Sequence, residues 1–244
     1  MPHLVSHDHL VAGLHQTDEL EVLSNAPLAD ELLQAEVGLR GEIEQVAAMR
    51  RELPLGGAVG TDYVFEEWDA AAGAATPVRL SELFDDGKDT LFLYSFMVVP
   101  REQGLPFVGP CPSCTSIIDG IDGAIPHITP RTSFAVESIA PIAQFREHGS
   151  RRGWHHARLL SSADSTYRRD YGGADSDGYQ WPLATVFVRR DGAIHHYWSS
   201  ELWWLPHDGG QGPRHVDFMW PLWAVFDRTP EGRGEWETKL DYYG

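Results

Sequence analysis

The chain has 244 residues, of which 42% are hydrophobic and 23% charged, as is typical of one large soluble domain or one domain with appendages. Its 36 acidic and 19 basic residues give a net charge of −17, which disfavours binding to nucleic acid and to anionic membranes. The first residues lack the basic and apolar regions of a signal peptide, and no apolar run approaches the ~18 residues that cross a bilayer. We therefore expect a cytoplasmic protein, in a compartment that keeps thiols reduced.

A long amphipathic helix is the first predicted element. Apolar residues recur at spacings of three and four over residues 27–53, with Pro27 in the first turn and Pro54 just beyond the end. The sequence therefore predicts a helical N-terminal arm, residues 1–53, that packs across a main domain of residues 54–244.

Strands and the two cysteines come next. Residues 58–65 and 89–99 read as strands, and the second is apolar enough for a central strand covered on both faces. The segment "GPCPSCTSIIDGIDGAIPHI", residues 109–128, holds the only two cysteines, Cys111 and Cys114, at the head of a predicted helix.

The second half of the domain contains further alternating elements. Residues 132–138 are predicted as a strand, and a helical rhythm follows through Ile142 and Phe145. The polar stretch 161–182 is predicted as a long surface loop. Residues 183–200 predict a hairpin that turns at Asp191-Gly192, the strongest short hairpin signal. An aromatic C-terminal extension begins at about residue 201, and its segment 201–223 is predicted as a lid over the fold or a subunit contact.

This order of elements predicts the fold class. A strand, a helix headed by CxxC, a second strand and a late antiparallel hairpin form the layout of the thioredoxin fold. We therefore expect an α/β protein whose central mixed sheet is flanked by helices, with a helical N-terminal extension and an aromatic C-terminal extension.

The positions of the cysteines in their helix predict different environments. If the helix starts at Pro112, which is favoured at a first helical position, Cys111 is the N-cap residue. At 100° per residue, Cys114 shares a stripe with Ile117 and Ile118. We therefore expect Cys114 to be buried and Cys111 to lie at the exposed end.

This asymmetry suits dithiol chemistry. Thiolate is the attacking species, and a helix N-terminus lowers a cysteine pKa by stabilising its negative charge. A sheltered second thiol can then resolve the mixed disulfide. The sequence favours a redox pair with Cys111 as nucleophile and Cys114 as resolving residue, and it calls for no cofactor.

Three other roles for the cysteines stay open. A structural disulfide over so short a loop would add only about 2 kcal/mol and would be out of place in a reducing compartment. A zinc site would need two more ligands, for which the histidine pairs His155-His156 and His195-His196 are candidates. Their placement on or near strands favours structural histidines instead, so we expect no metal. Inert thiols are the third alternative.

Several segments, taken in order, resemble a bacterial thioredoxin-like family catalogued as a domain of unknown function, whose members are labelled predicted dithiol-disulfide oxidoreductases. The resemblance runs through "ELPLGGAVGTDYVFEE", "VRLSELFDDGKDTLFLYSFMVVP", "GPCPSCTSIIDGIDGAI", "SIAPIAQF", "RRGW", "VFVRRDGAIHHYWS" and "TPEGRGE", most of residues 52–235. It implies a thioredoxin-like fold with a helical N-terminal extension, and its CxxC falls on Cys111 and Cys114. Where the family commonly has a histidine before its Phe-Met pair, this chain has Ser95.

Comparison with thioredoxins adds candidate groove residues. In thioredoxins a cis-proline before a late strand faces the CxxC motif and shapes the substrate groove. Pro182 lies near that position, and it is either this cis-proline or a trans proline that ends the loop. In the first case Trp181 forms a groove wall, and in the second it is a core residue. Pro110, directly before Cys111, is the third candidate groove residue.

The leading functional hypothesis is a cytoplasmic thiol–disulfide oxidoreductase. Its expected partners are a protein or small-molecule disulfide or thiol substrate and a cellular thiol reductant, and a homo-oligomer is compatible with the sequence. One alternative is a thiol peroxidase, because a thiolate at a helix end is also oxidised to sulfenic acid by peroxide. The other is a non-enzymatic thioredoxin-like binding module whose aromatic surface holds a partner.

Overall fold

The computed structural model describes residues 19–99, 109–200, 219–232 and 234–242. The chain divides into two units, Met1–Pro54 and Leu55–Gly244, and each is described by itself. None of the helices in these described ranges is long and apolar enough to cross a membrane.

The described part of the first unit is a single helix, α1 (Glu19–Arg51). It ends before Pro54, as predicted, but the predicted start at residue 27 is wrong because the helix begins eight residues earlier. The residues ahead of Pro27 include Glu, Leu and Ala, which are strong helix formers. A proline inside a helix costs about 3 kcal/mol, and the helix nevertheless continues through Pro27.

The second unit contains nine strands and five α-helices among its described residues. The strands are β1 (Val64–Asp69), β2 (Ala74–Arg79), β3 (Thr90–Phe96), β4 (Val98–Val99), β5 (Gly109–Pro110), β6 (Ser133–Ser138), β7 (Leu159–Ser161), β8 (Leu183–Arg190) and β9 (Ala193–Ser199). The helices are α2 (Pro112–Ile121), α3 (Ile125–Ile128), α4 (Ile142–Arg152), α5 (Tyr167–Asp170) and α6 (Pro221–Phe226).

Seven of these strands form one mixed sheet in the order β2-β1-β7-β6-β3-β8-β9. Strand β3 runs parallel to β6 and antiparallel to β8, and β6 is parallel to β7. The unit β3–α2–β6 is therefore a parallel strand–helix–strand crossover, followed by the antiparallel hairpin β8–β9. This confirms the predicted α/β class and the thioredoxin-like layout of a central mixed sheet flanked by helices.

The central position of β3 follows from its side chains. Alternation along the strand sends Tyr94 and Phe96 to one face and Leu91 and Leu93 to the other, and all four are fully buried. The first face carries the core that contains α2 and both cysteines, and the second carries a separate core around Tyr167. A strand buried on both faces has no polar side, which explains its nearly continuous apolar sequence.

Three other predicted elements are also confirmed. Strand 132–138 appears as β6, and the helical rhythm through Ile142 appears as α4. The hairpin turns at Asp191 and Gly192, whose φ angles of 52° and 79° are the left-handed values that a two-residue turn requires.

The prediction of a strand over residues 58–65 is wrong. Strand β1 starts at Val64 and runs on through polar residues to Asp69, because its pairing with β2 and β7 decides its position. Of the predicted segment, Val64 and Phe65 belong to β1, and Ala58 forms an isolated bridge with His195.

The long surface loop predicted for residues 161–182 is also wrong in part. The segment contains the short helix α5, and the side chains of Tyr167, Arg168 and Gln180 are buried. Polar residues of this segment are inside the protein because they find partners there, as described below.

The C-terminal segment, residues 219–242, packs on the outer side of α2. The indole Nε1–H of Trp220 donates to Ser116 Oγ at 3.0 Å, and the hydroxyls of Ser113 and Thr238 lie 3.0 Å apart. Pro221 approaches Gly120 so closely that a Cβ atom there would lie 2.7 Å from the proline ring. Most of the predicted lid or subunit contact, residues 201–218, lies outside the described residues.

Candidate active site at the head of helix α2

Cys111 is the N-cap residue of α2, as predicted. Its φ and ψ of −64° and 125° are extended, and Pro112 is the first helical residue. The Cys111 N–H donates to the Met97 carbonyl at 3.0 Å, which ties the cap to the segment that follows β3. The carbonyl of Cys111 accepts from the Thr115 N–H at 2.9 Å, the first bond of the helix.

The two sulfur atoms are adjacent and both thiols are free. The backbone N–H of Cys114 donates to Cys111 Sγ at 3.4 Å. A sulfur that accepts from the first turn of a helix lies where a thiolate is stabilised by the amide dipoles. Cys114, one turn along, packs into the core with Ile117 and Ile118, as the isoleucine stripe predicted.

The prediction that Cys111 lies at an exposed end is wrong. Cys111 is only 5% exposed and Cys114 is 0% exposed. Cys111 belongs to the same buried cluster as Trp220, whose C-terminal segment packs along α2. A helix end in isolation would be solvated, but the later part of the chain supplies apolar surface that the local pattern does not reveal.

The two cysteines have opposite pKa shifts. The pKa of Cys111 is lowered from 9.0 to about 7, chiefly by the hydrogen bond from the Cys114 thiol and further by backbone N–H groups of Cys114 and Ser113, against the opposing effect of burial. The pKa of Cys114 is raised well above 9.0, first by burial and then by its hydrogen bond to Cys111 and the negative charge there. At neutral pH Cys111 is therefore about half thiolate, while Cys114 remains a thiol.

Tyr94 on β3 contacts the Cys114 thiol from the sheet side. Its hydroxyl donates to Cys114 Sγ at 3.4 Å, and the side chain is fully buried. Burial, together with the nearby Cys114, raises the pKa of Tyr94 well above 10.0, so the phenol stays a donor at every physiological pH. From the sequence pattern Tyr94 is only one residue of an apolar strand, because its contact with sulfur depends on the register of β3 beneath α2.

A buried ion pair lies beside the end of β3, next to the Met97 carbonyl to which the Cys111 N–H donates. Arg168 and Glu137 are 2% and 0% exposed, and the guanidinium lies 3.0 Å from the carboxylate. The second carboxylate oxygen accepts from Ser162 Oγ at 2.6 Å, and Arg168 also donates to the Phe96 carbonyl at 2.7 Å. Because every one of these groups has a partner, the charges are tolerated inside the protein.

Gln180 continues this network toward the cysteines. Its Nε2 donates to the Val98 carbonyl at 2.6 Å and its Oε1 accepts from the Val98 N–H at 3.3 Å. Val98 pairs with Pro110 in the β4–β5 ladder, directly before Cys111. The network therefore fixes both backbone segments on which the Cys111 cap rests. The signal in the sequence was Glu137, a carboxylate within an otherwise buried strand, which requires a buried partner.

The three candidate groove residues lie in different places. Pro110 is half-buried and lines a cavity of about 530 Å³ that also contacts Val98, Phe145 and His148. The peptide bond before Pro182 is trans, and the proline is buried directly before β8. Trp181 is half-buried, and its backbone N–H donates to the Gly173 carbonyl at 3.0 Å.

A second cavity, of about 310 Å³, lies on the other side of the CxxC motif. It is lined by two motif residues and five residues of the C-terminal segment: Pro112, Ser113, Trp220, Trp223, Trp236, Glu237 and Thr238. Neither Trp181 nor Pro182 is among the residues that line these two cavities. The buried Cys111 thus lies between two prolines that each line one of the cavities, Pro110 the first and Pro112 the second, and neither cavity is lined by a cysteine.

The histidine pairs form hydrogen bonds with residues other than the cysteines. The backbone N–H groups of His155 and His156 donate to the buried carboxylate of Asp122, both at 3.0 Å. His195 Nδ1 lies 3.0 Å from the Gly56 carbonyl, and His196 Nε2 lies 2.8 Å from Ser199 Oγ. Within the described ranges, no group of three or more His, Cys, Asp or Glu side chains is placed to hold a metal ion.

Fold and site together define an α/β protein of the thioredoxin-like class, with two thiols at the head of the first crossover helix. The chain belongs to the family described as "bacterial protein of unknown function (DUF899)", whose profile matches residues 17–243. No curated protein matches the chain.

Solved structures with a similar course of the chain include two peroxiredoxins. Peroxidoxin BcpB from Mycobacterium tuberculosis is 18% identical, with a TM-score of 0.44, over 69% of this chain and 94% of its own. The reduced 2-Cys peroxiredoxin of Plasmodium vivax is 14% identical, with a TM-score of 0.43, over 68% of this chain and 93% of its own. Similarity at this level does not carry the activity of either enzyme over to this chain.

Proposed function

We propose that this protein is a thiol–disulfide oxidoreductase in which Cys111 attacks the substrate and Cys114 resolves the mixed disulfide. The observation that carries the proposal is the placement of the two thiols at the start of α2, where Cys111 caps the helix and its Sγ accepts from the Cys114 N–H at 3.4 Å, while Cys114 is fully buried. This placement lowers the pKa of Cys111 to about 7 and raises that of Cys114. A thiol with a pKa near the ambient pH combines a high thiolate fraction with good nucleophilicity.

In the first step the Cys111 thiolate attacks one sulfur of a disulfide substrate. A bond forms between Cys111 Sγ and that sulfur, the substrate disulfide breaks, and the other half leaves as a thiolate that takes up a proton. In the second step Cys114 loses its proton and attacks Cys111 Sγ. The second half of the substrate leaves as a thiol, and the protein holds a Cys111–Cys114 disulfide, so two electrons pass from the dithiol to the substrate.

Tyr94 supports the second step. Its hydroxyl donates to Cys114 Sγ and stays protonated, so it stabilises the negative charge that develops on this sulfur when the proton leaves. The same contact stabilises Cys114 as leaving group when the disulfide is reduced again. A dithiol reductant of the cell regenerates the enzyme, which places the activity in a reducing compartment such as the cytoplasm.

A thiol peroxidase is the second candidate, and the low exposure of Cys111 favours it. A cysteine that is 5% exposed admits a small oxidant more readily than a folded protein substrate. In this reaction the Cys111 thiolate attacks the terminal oxygen of a hydroperoxide, the O–O bond breaks, and an alcohol or water leaves. The sulfenic acid then condenses with Cys114 to a disulfide, with loss of water.

The experiment that tests the proposal is a redox titration of the purified full-length protein. Oxidation by oxidised dithiothreitol should remove two hydrogens from the one peptide that contains both cysteines, and the change should reverse at a defined potential. If both thiols remain alkylatable at every potential, the redox function fails and a non-enzymatic binding module replaces it. A disulfide that forms with hydroperoxide alone, and with no disulfide substrate, would select the peroxidase.

A further inference from the structure

The aromatic cavity beside the CxxC motif is built mainly by residues from outside the thioredoxin-like layout. Pro112 and Ser113, which lie between the two cysteines, form its floor, and the C-terminal segment supplies the tryptophans. Its volume of about 310 Å³ suits a small molecule. Any compound that binds there contacts the residues next to the nucleophile.

The three tryptophans that line this cavity belong to a continuous series of rings, in which Phe226, outside the lining, joins Trp223 to Trp236. The centroids of Trp220 and Trp223 are 5.0 Å apart, Phe226 follows at 6.0 Å from Trp223, and Trp236 lies 5.5 Å from Phe226. These three contacts are edge-to-face, so the rings stand at steep angles to one another and present faces as well as edges. Trp236 is 46% exposed and therefore offers indole surface to a ligand.

The charged group in the lining of the cavity is negative. Among its described lining residues, Glu237 is the charged side chain, and it is exposed. The chain as a whole carries a net charge of −17, which attracts cations to its surface. Indole faces bind ammonium groups through the ring quadrupole, and a carboxylate beside them adds direct charge attraction.

We propose that this cavity binds the cationic end of a small disulfide substrate, one that carries a primary or quaternary ammonium group. This inference rests on the proposed oxidoreductase function and names its substrate class. The ammonium group lies against the indole rings and Glu237, and the disulfide reaches Cys111 Sγ. The Cys111 thiolate attacks the nearer sulfur and the farther half leaves as an aminothiol, and the attack of Cys114 then releases the second aminothiol.

The test compares three small disulfides of similar size that differ in charge: cystamine, which is dicationic, hydroxyethyl disulfide, which is neutral, and dithiodiglycolate, which is dianionic. The rate of Cys111–Cys114 disulfide formation is measured in the reduced full-length protein. Each rate is divided by the rate of the same disulfide with a small reference dithiol, which removes intrinsic differences between the reagents. Measurements in about 1 M salt, where the Debye length is ~3 Å, screen attraction by the whole protein.

The expected result is a preference for cystamine over the neutral disulfide that persists in high salt. Trp236→Leu and Glu237→Gln should each reduce this preference by about two- to five-fold, the effect of one cation–π contact or one exposed ion pair. Glu235→Gln is the matched control, because it removes the same charge from the same segment at a residue that does not line the cavity. It should leave the preference unchanged.

Two outcomes overturn the inference while the proposed function stands. One is equal normalised rates for the three disulfides in high salt. The other is a preference that Glu235→Gln and Glu237→Gln reduce equally, since overall charge would then account for it. Failure of the proposed function looks different, because no disulfide of any charge would then oxidise the cysteine pair.

Discussion

One hydrogen bond shifts the pKa values of Cys111 and Cys114 in opposite directions. The Cys114 thiol donates to Cys111 Sγ, which stabilises a thiolate on Cys111 and by the same contact favours the protonated form of Cys114. Burial raises both pKa values, but at Cys111 the first-turn N–H groups of α2 and the thiol outweigh it. Two identical side chains therefore differ in pKa because one caps the helix and the other lies inside it.

The pH dependence of alkylation should follow this difference. Because the pKa of Cys111 is lowered to about 7, its reaction with iodoacetamide should be half-maximal near pH 7 and fall about tenfold per unit below it. Cys114 should react far more slowly over the same range. Peptide mass spectrometry after brief labelling measures both rates. A rate at Cys111 that is still rising steeply above pH 8 would show that its pKa is not lowered.

Removal of the Tyr94 hydroxyl should slow resolution and leave the first attack intact. In Tyr94→Phe the pKa of Cys114 should rise further, since the phenol is one of the groups that lower it. A hydrogen bond to a charged group contributes roughly 1.5 kcal/mol, so release of the second thiol should slow about tenfold. Single-turnover thiol release measures this.

Tyr167→Phe is the matched control for Tyr94→Phe. Tyr167 is equally buried but belongs to the core on the other face of the sheet. It should leave the rate of resolution unchanged. Equal slowing in both variants would mean that core packing, and not the contact with sulfur, determines the rate.

At the scale of elements, the end of β3 is held by the pair Arg168–Glu137. Arg168→Met leaves the Glu137 carboxylate buried without its cation, which should lower the free energy of unfolding by about 3–5 kcal/mol. Arg158→Met is the comparison, because Arg158 and its partner Glu67 are 28% and 31% exposed. Loss of the Arg158–Glu67 ion pair should lower the free energy of unfolding by roughly 1 kcal/mol or less. Urea unfolding measures both.

A second substitution separates charge from packing at this pair. Glu137→Leu, added to Arg168→Met, removes the unpaired carboxylate and should recover much of the lost stability. Should the double variant be no more stable than Arg168→Met, the loss comes from the missing guanidinium bonds to Phe96 and Gln180. Should Arg168→Met cost no more than Arg158→Met, the buried pair is not important for stability.

The elements that were predictable from the sequence are those whose local pattern agrees with their tertiary role. Strand β3 is apolar throughout because both faces are covered, and the β8–β9 hairpin has the Asp191-Gly192 turn that its geometry needs. Strand β2 was missed because "AATPVR" has little strand propensity and a proline, so its pairing with β1 alone defines it. Arg168 and Gln180 were missed because polar side chains in a polar stretch become buried only through distant partners.

At the scale of the whole molecule, the C-terminal segment covers the helix that carries the thiols. Besides the Trp220 and Thr238 contacts, Arg152 Nη1 donates to the Leu240 carbonyl at 2.9 Å, which joins the segment to α4. Trp220 belongs to the same buried cluster as Cys111, so this coverage contributes to the 5% exposure of a helix cap that the local sequence would expose. Access of substrate to Cys111 therefore depends on a part of the chain that lies more than 100 residues away.

Gly120→Ala tests this coverage. The new Cβ would lie 2.7 and 2.9 Å from two atoms of the Pro221 ring, so α6 must move away from α2. We expect Cys111 to be alkylated several-fold faster, at unchanged pKa. Gly123→Ala is the matched control, since its Cβ would meet nothing within 4 Å. Equal alkylation rates in the two variants would mean that the C-terminal segment does not shield the thiol.

The division of roles between the two cysteines is the central claim, and covalent trapping tests it most directly. Reduced Cys114→Ser protein, mixed with a small disulfide, should accumulate a stable mixed disulfide on Cys111, because no second thiol remains to release it. Cys111→Ser protein should accumulate none, because Cys114 is buried and protonated. Intact-mass spectrometry of both variants gives the answer. A stable adduct on Cys114 in the Cys111→Ser variant, with none on Cys111 in Cys114→Ser, would contradict the account.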